Sequence, residues 1–127
     1  MISVSPEKDK QRVKDLFLEN GLSFGENSSA VTALCGDEVL GYCLYDLYKE
    51  KDRKIVVHKV TPENDVMLAD GILRSALHVA AERSIMDAFY SDSAGEELFL
   101  KLSFVKSQTE KRLDIDKLFG GCHCGCK

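Results

Sequence analysis

The sequence predicts an α+β fold, in which helices flank a mixed, mainly antiparallel, twisted sheet. Three observations favour this fold. Short runs rich in β-branched and aromatic residues fill the central part of the chain, as in KIVVHKVT at residues 54–61. Polar turns separate these runs, and Gly36-Asp37-Glu38 is typical of a tight hairpin. Residues 66–83 instead place apolar side chains at helical spacing.

The first half of the chain predicts a strand, a helix and a three-stranded meander. The segment ISV opens the chain as a strand, and Ser5-Pro6-Glu7 predicts a helix start with Pro6 at the first helical position. Apolar residues recur at helical spacing until Gly21 ends the helix, and a polar loop follows over residues 22–29. The meander strands are then expected at residues 30–35, 39–48 and 54–61, with Pro62 closing the third.

The second half predicts the long helix and a smaller α/β segment. Asn64 or Asp65 is the expected N-cap of the helix over residues 66–83. A strand follows at residues 85–91, then a short amphipathic helix that runs into a strand at Phe104, and a final strand with or without a turn. We expect a single domain over residues 1–119 and a cysteine-rich tail over residues 120–127.

Length, composition and charge exclude several classes of protein. The 127 residues suit one domain, and 44% hydrophobic with 30% charged residues is typical of a globular protein. No apolar run approaches the ~20 residues that a membrane span needs, and the N-terminus lacks a secretory signal. A net charge of −4 argues against binding duplex nucleic acid. We therefore expect a cytoplasmic protein without membrane or nucleic-acid partners, and its tyrosine-rich third strand could support a homodimer.

The cysteines divide into two groups. Cys35 and Cys43 are isolated in apolar segments, where a buried thiol acts as a small hydrophobe. The tail instead carries four soft donors, which are Cys122, His123, Cys124 and Cys126. Zinc and copper(I) favour such ligands, so the tail is a candidate metal site. A redox-active thiol pair, a bridge between subunits or a tail without a fixed role are the alternatives.

Four segments in a particular order resemble the GNAT superfamily of acyl-CoA-dependent N-acyltransferases. They are Leu40-Gly41-Tyr42, Val60-Thr61-Pro62, the long helix, and LFLKLSF at residues 98–104. The resemblance covers most of the chain and is clearest from Gly36 to Phe104. It implies that acyl-CoA binds in a V-shaped split between the fourth and fifth strands, and that an acetyl group passes to an amine.

The resemblance also implies which residues contact acetyl-CoA. It aligns the family's phosphate-binding loop with residues 64–69, so backbone contacts are expected at Val60 and at Asn64, Val66, Met67, Leu68 and Ala69. The asparagine that often contacts the pantetheine arm in the family falls on Asp92. Backbone N–H groups and the dipole at a helix start attract phosphate. Met67, however, stands where the family has a glycine, and Asp65 adds a negative charge. Both departures weaken the expected site.

Three residues form the candidate catalytic set, and Asp46 is a further alternative. An amine acceptor requires a general base, and His58 lies in the strand where the family often carries one. Glu63 and Asp46 are further carboxylate candidates. Phe99 replaces the tyrosine that can protonate the leaving thiolate, and Tyr90 is a nearby substitute. Glu63 and Tyr90 thus complete the candidate set with His58.

Strand alternation gives a competing interpretation of His58. Period-2 alternation would place His58 on one face of its strand together with Val56 and Val60. A histidine packed and hydrogen-bonded within the sheet is then the simpler alternative to a catalytic base.

The sequence thus predicts an N-acetyltransferase that uses acetyl-CoA and an unidentified amine. Two other functions remain open at this point. One is a GNAT-like domain without catalysis that binds a ligand or another protein, which Asp65, Met67 and Phe99 favour. The other is a metal- or redox-linked protein that acts through the C-terminal cysteines.

Overall fold

A seven-stranded sheet forms the centre of the protein, and the computed structural model describes residues 2–118. The strands lie in the order β1-β2-β3-β4-β5-β7-β6. Their bounds are Ile2–Pro6 (β1), Ser28–Cys35 (β2), Glu38–Tyr48 (β3), Lys54–Thr61 (β4), Ala88–Tyr90 (β5), Val105–Ser107 (β6) and Arg112–Leu113 (β7). Strands β1 to β4 pair antiparallel to one another, which confirms the predicted meander.

Three α-helices accompany the sheet within the described part of the chain. They are α1 (Lys10–Glu19), α2 (Val66–Ala81) and α3 (Glu96–Lys101), and a 3₁₀ helix at Asp92–Ala94 precedes α3. Asp65 caps α2, as predicted. The order of the strands and α-helices agrees with the sequence prediction throughout, so the α+β fold class is confirmed.

The first helix starts later than the sequence predicts. Pro6 is the last residue of β1, and its partner there is Val31 of β2. The helix begins at Lys10, because the Asp9 side chain accepts hydrogen bonds from the N–H groups of Gln11 and Arg12. A proline at the end of an edge strand removes no required hydrogen bond, so tertiary pairing overrides the local helix signal.

The two faces of the sheet have separate apolar layers. Helix α2 lies across β1 to β4 and buries Ile72, Leu73, Ala76 and Leu77 against the side chains of one face. Helix α1 covers the other face, where Val13, Leu16 and Phe17 pack against Ala30 and Leu44. Consecutive residues of β3 join opposite layers, since Cys43 belongs to the α2 layer and Leu44 to the α1 layer.

An extra residue interrupts the pairing of β3 with β4. Leu44 is opposite Lys59, yet Tyr45 is opposite Val57, so His58 has no partner of its own and forms a β-bulge. The prediction that His58 shares a face with Val60 is therefore wrong. Val57 and Val60 are both buried in the α2 layer, although they are three residues apart. His58 lies on the α1 side.

Strand β4 also parts from β5 near the bulge. The two strands run parallel over the pairs Ile55–Ala88, Val56–Phe89 and Val57–Tyr90. The last backbone–backbone hydrogen bond between these segments runs from the N–H of Ser91 to the carbonyl of Val57 at 3.0 Å. Beyond it, β4 continues to Thr61 while the other segment turns into the 3₁₀ helix. The two segments thus form a fork that opens after Val57 and Ser91.

Two further features qualify the sequence predictions. Cys43 is buried, as expected, and burial raises the pKa of its thiol. Cys35 is exposed at the end of β2, which corrects the expectation that it is buried.

Within residues 2–118, no helix is long and apolar enough to cross a membrane.

Gly41 of β3 lies in close contact with the end of β4 and the residue that follows it. A Cβ atom there would lie 2.6 Å from Pro62 Cδ and 2.6 Å from the carbonyl oxygen of Thr61. We expect Gly41→Ala to lower the free energy of unfolding by about 1–3 kcal/mol, because a backbone oxygen cannot move away cheaply. Urea denaturation followed by circular dichroism measures this change.

Gly71→Ala is the matched control. Gly71 lies within α2, and a Cβ atom there meets nothing within 4 Å. Alanine should therefore raise the free energy of unfolding by about 0.5–1 kcal/mol, through helix propensity alone. Equal effects of the two substitutions would contradict the steric argument.

Candidate functional site

A histidine–aspartate pair lies at the fork between β4 and β5. The Nε2 atom of His58 is 2.8 Å from Oδ2 of Asp46, which lies on the neighbouring strand β3. Each side chain is 19% exposed, so the pair is partly shielded from water. Both side chains lie on the α1 side of the sheet, since alternation along β4 places His58 opposite the buried Val57. Phe17 of α1 packs edge-on against the imidazole, with 6.3 Å between ring centroids.

The Asp46 carboxylate is held in its ionised form. Burial alone would raise the pKa of Asp46, but hydrogen bonds from His58 and Ser28 outweigh it and lower the pKa. The hydroxyl of Ser28 donates to the second carboxylate oxygen, Oδ1, at 2.8 Å. Because an ionised carboxylate only accepts hydrogen bonds, the His58 Nε2 atom must carry the proton. In neutral His58 the other ring nitrogen, Nδ1, then has a free electron pair.

A serine hydroxyl faces that second nitrogen. Ser91 Oγ lies 2.9 Å from His58 Nδ1, and it also lies 2.9 Å from Ser93 Oγ. Ser93 Oγ in turn lies 3.2 Å from the backbone carbonyl oxygen of His58, to which it can donate. With a neutral imidazole, Ser91 donates to Nδ1 and Asp46 accepts from Nε2. The three side chains then form one chain of hydrogen bonds from a hydroxyl to a carboxylate.

A cleft of about 550 Å³ lies on the α1 side, next to this chain. Val13 and Phe24 give it an apolar wall. Its polar lining carries both signs of charge and consists of Glu7, Lys8, Lys10, Glu26, Ser28 and Ser29. Ser28 connects the cleft to the site, because the same hydroxyl that lines the cleft donates to Asp46. A small molecule in the cleft would thus lie one side chain away from the His58–Asp46 pair.

The other two catalytic candidates lie apart from His58. Tyr90 is buried on the opposite face, where its ring stacks on Phe99 at 5.1 Å and its hydroxyl donates to Glu96 at 2.8 Å. Burial, together with the hydrogen bond and the negative charge of Glu96, raises the pKa of Tyr90 to about 12. Glu63 is exposed and forms an ion pair with Lys59 at 3.7 Å. The structure therefore groups neither residue with His58.

The predicted cofactor residues surround the start of α2. Asn64, Val66 and Met67 are exposed, and the Met67 side chain points into solvent with 87% exposure. Ala69 and Val60 are buried, and Leu68 is partly buried. Asp92 lies in the 3₁₀ helix, where its carboxylate pairs with Lys111.

At the start of α2, two backbone N–H groups favour binding of an anion, and the Asp65 carboxylate opposes it. The first helical bond runs from the N–H of Ala69 to the carbonyl of Asp65, and the N–H groups of Val66 and Met67 donate to no other group among residues 2–118. They and the helix dipole suit a phosphate. The Asp65 carboxylate already accepts from the Leu68 N–H at 3.1 Å, however. A phosphate therefore fits here after Asp65 turns away, at a cost near the ~1 kcal/mol of an N-cap.

The predicted metal ligands Cys122, His123, Cys124 and Cys126 lie outside the described residues. Over residues 2–118, His, Cys, Asp and Glu side chains form no group of three or more that could hold a metal ion. A metal at the tail stays a prediction.

Sequence reasoning missed two members of the hydrogen-bonded chain. Ser28 and Ser91 belong to no motif, and Asp46 was considered only as an alternative base. One signal could have found Ser91, because it directly follows the strand that runs parallel to the strand of His58. Residues that follow parallel strands meet at one edge of a sheet.

Asp46 makes the stability of the site dependent on pH. Its folded-state pKa is lowered, so its contribution is complete above the unfolded value of about 3.9 and is lost as the pH falls through the folded value. We expect Asp46→Asn to lower the free energy of unfolding by about 1–3 kcal/mol at neutral pH. The variant should also lose less stability than the parent below about pH 4, which denaturation across the acid range measures.

Asp37→Asn, in the exposed β2–β3 turn, is the control for this measurement. It should change the free energy of unfolding by less than about 0.5 kcal/mol at neutral pH. If the free energy of unfolding fell equally with acid pH in the parent and in Asp46→Asn, the assignment of a lowered pKa to Asp46 would be wrong.

Comparisons with known proteins identify the fold. No protein-family model matches the sequence, and no curated protein matches it either. Among solved structures, the ribosomal-protein-S18-alanine N-acetyltransferase of Escherichia coli is similar with a TM-score of 0.54 and 10% identity, over 88% of each chain.

A second solved structure gives the same result. This Desulfovibrio desulfuricans protein, assigned to the GNAT family of acetyltransferases, matches with a TM-score of 0.51 and 13% identity. The match covers 71% of this chain and 72% of the other. The order of the elements, the fork between β4 and β5 and these similarities together give the chain the GNAT fold.

Proposed function

We propose that the protein is an N-acetyltransferase that moves an acetyl group from acetyl-CoA to an amine. The observation that carries the proposal is the His58–Asp46 pair at the fork between β4 and β5. In this fold the resemblance places the acyl donor at that fork. A partly buried imidazole oriented by a carboxylate is a suitable base for an amine that attacks there.

His58 supplies the base chemistry. Asp46 accepts from Nε2, fixes the tautomer and stabilises the imidazolium that forms when Nδ1 takes a proton. The attacking amine gives up its proton to Nδ1, either directly or through the Ser91 hydroxyl that lies 2.9 Å from it. A positioned base of this kind contributes about 10²–10⁴-fold to a rate.

The cleft on the α1 side is the proposed acceptor site. Its volume of about 550 Å³ suits a small molecule or a short peptide end, and pockets for such ligands measure roughly 300–1,000 Å³. Glu26 can bind a cationic part of the acceptor, and Phe24 can cover an apolar part. Ser28 connects the cleft to Asp46.

The proposed donor site extends from the fork to the start of α2. The segment of β4 from His58 to Thr61 lies beyond the last pair with β5, so its edge is available to the amide groups of a pantetheine arm. The N–H groups of Val66 and Met67 would receive the phosphates. Glu63, Asp65 and Glu97 add negative charge around this end, where Lys101 is the basic residue of a small cleft of about 80 Å³. We therefore expect weak binding of acetyl-CoA.

A calorimetric titration of acetyl-CoA tests the donor site. The parent should bind, and Asp65→Asn should bind roughly two- to fivefold more tightly, because asparagine keeps the N-cap and removes a repulsive charge at the helix start. Met67→Gly should also gain affinity through closer approach to the backbone. Asp37→Asn removes the same charge far from the helix start and should leave the affinity unchanged.

A panel of amines tests the reaction. We expect His58→Gln to lower kcat/KM for acetyl transfer by about 10²-fold or more, while the affinity for acetyl-CoA stays the same. His78→Gln is the matched control, because His78 is exposed on α2 and contacts Glu82. An unchanged rate in His58→Gln would remove the base assignment.

Two observations favour a second function, a GNAT-like domain without catalysis that binds a ligand or a protein. The Asp65 carboxylate accepts from the helix start where the phosphates would bind, and Phe99 is a buried core residue rather than a proton donor. If the parent binds no acetyl-CoA and Asp65→Asn or Met67→Gly does, this function replaces the first. A role for the cysteine tail in metal or redox chemistry stays a separate prediction.

A further inference from the structure

We propose that Ser91, His58 and Asp46 form a nucleophilic triad, and that the Ser91 hydroxyl accepts acyl groups from activated esters and thioesters. This goes beyond the proposed N-acetyl transfer, because it needs no coenzyme A and adds an acyl-enzyme and its hydrolysis. The evidence is geometric. Ser91 Oγ lies 2.9 Å from one ring nitrogen of His58, and Asp46 Oδ2 lies 2.8 Å from the other.

Both distances lie within the range that proton transfer between a nucleophile and its base requires. The imidazole presents Nδ1 to the serine and Nε2 to the carboxylate. Either assignment of the two nitrogens serves the chemistry, because one nitrogen must carry the hydrogen and the other must accept the hydroxyl proton. Asp46 fixes that tautomer, and Ser28 fixes Asp46 in turn at 2.8 Å.

The three side chains come from three separate segments that the sheet brings together. Asp46 lies on β3, His58 is the bulge residue of β4, and Ser91 is the first residue after β5. The backbone of Ser91 is held at the fork by its N–H, which donates to the Val57 carbonyl. The hydroxyl therefore lies where the two strands part.

Ser91 is also free of the local role that serines usually have at such positions. It precedes the 3₁₀ helix, yet its side chain makes no capping hydrogen bond to that helix. Its hydroxyl instead faces His58 and Ser93, and it is only partly buried. A serine at a helix start normally accepts from the backbone N–H groups that follow it. The orientation toward the imidazole is thus a specific feature of this site.

The acyl transfer balances in two steps. In the first, Ser91 Oγ forms a bond to the acyl carbon, its proton moves to His58 Nδ1, and the bond from the acyl carbon to the leaving oxygen or sulfur breaks. The leaving group keeps the bonding electron pair and takes the proton from His58. In the second step, the water oxygen forms a bond to the acyl carbon and one water proton moves to Nδ1. The bond from the acyl carbon to Ser91 Oγ breaks, Oγ keeps the electron pair and takes the proton from Nδ1, and a carboxylic acid leaves. An amine in place of water gives an amide.

The test uses para-nitrophenyl acetate, which contains an activated acetyl ester and no part of coenzyme A. We expect release of para-nitrophenolate, together with an acetyl group on the peptide that contains Ser91, seen by mass spectrometry of the quenched protein. Failure to bind acetyl-CoA would then count against the proposed function alone, whereas failure with this ester counts against the triad.

Variants decide whether the triad performs this chemistry. Ser91→Ala and His58→Gln should each lower the rate of release by about 10²-fold or more, and Asp46→Asn should lower it and alter the pH profile. Ser91→Cys keeps a nucleophile and should collect a longer-lived acetyl thioester, which guards against loss of activity through misfolding. Ser75→Ala on α2, across the sheet, should keep the parent's rate.

Two results would overturn the triad. One is release of para-nitrophenolate by Ser91→Ala at the parent's rate, with circular dichroism showing both proteins folded. The other is an acetyl group found only on lysines or on the exposed Cys35, equally in the native and the urea-unfolded parent, which indicates plain chemical acetylation.

Discussion

The single extra residue in β4 is the constraint that lets this strand supply both the site and the core. Alternation from Val57 places His58 on the α1 side, toward Asp46, and without the bulge it would place Val60 there too. With the bulge, Val57 and Val60 both enter the α2 layer, on either side of His58 in the chain. Bulges bend a strand and increase its twist. The same residue thus reverses the pattern of the strand and lies beside the point where β4 parts from β5.

Packing around the bulge leaves little freedom for this arrangement. Gly41 of β3 lies so close to Thr61 and Pro62 that no Cβ atom fits between them. On the α1 side, Phe17 is fully buried and presents its edge to the imidazole. The histidine is therefore held by an aromatic contact as well as by its hydrogen bonds. A polar cluster this well satisfied is expected to be rigid, because each lost partner would leave a partly buried polar group without a hydrogen bond.

The proposed catalytic and phosphate-binding parts of the active centre differ in how completely their polar groups are paired. At the fork, each nitrogen of His58 has a partner within 2.9 Å, and the carboxylate is held by a second serine. At the start of α2, the Asp65 carboxylate accepts from the Leu68 N–H and lies beside the N–H groups that a phosphate would use, so its charge opposes the phosphate. The chemistry of acyl transfer is thus better supported than the recognition of a nucleotide. A site of this kind suits a donor that is held mainly near its acyl group, and the serine facing His58 extends the possible donors to simple esters.

The sequence by itself determined the order of the elements, the long helix and its Asp65 cap. These depend on signals that are local, such as helical spacing, a capping side chain and turn residues between β-branched runs. It also identified His58 as a candidate and Met67 and Asp65 as obstacles to phosphate binding. The tertiary structure alone decided the strand order, the start of α1 after Pro6, and the exposure of Cys35. It also decided the face of Val60 relative to His58, and it brought His58 to Asp46 and Ser91, because the pairing of β4 with two different neighbours sets the bulge and the fork. Asp46 and Ser91 lie 12 and 33 positions away from His58, so no periodic pattern in the sequence connects them to it.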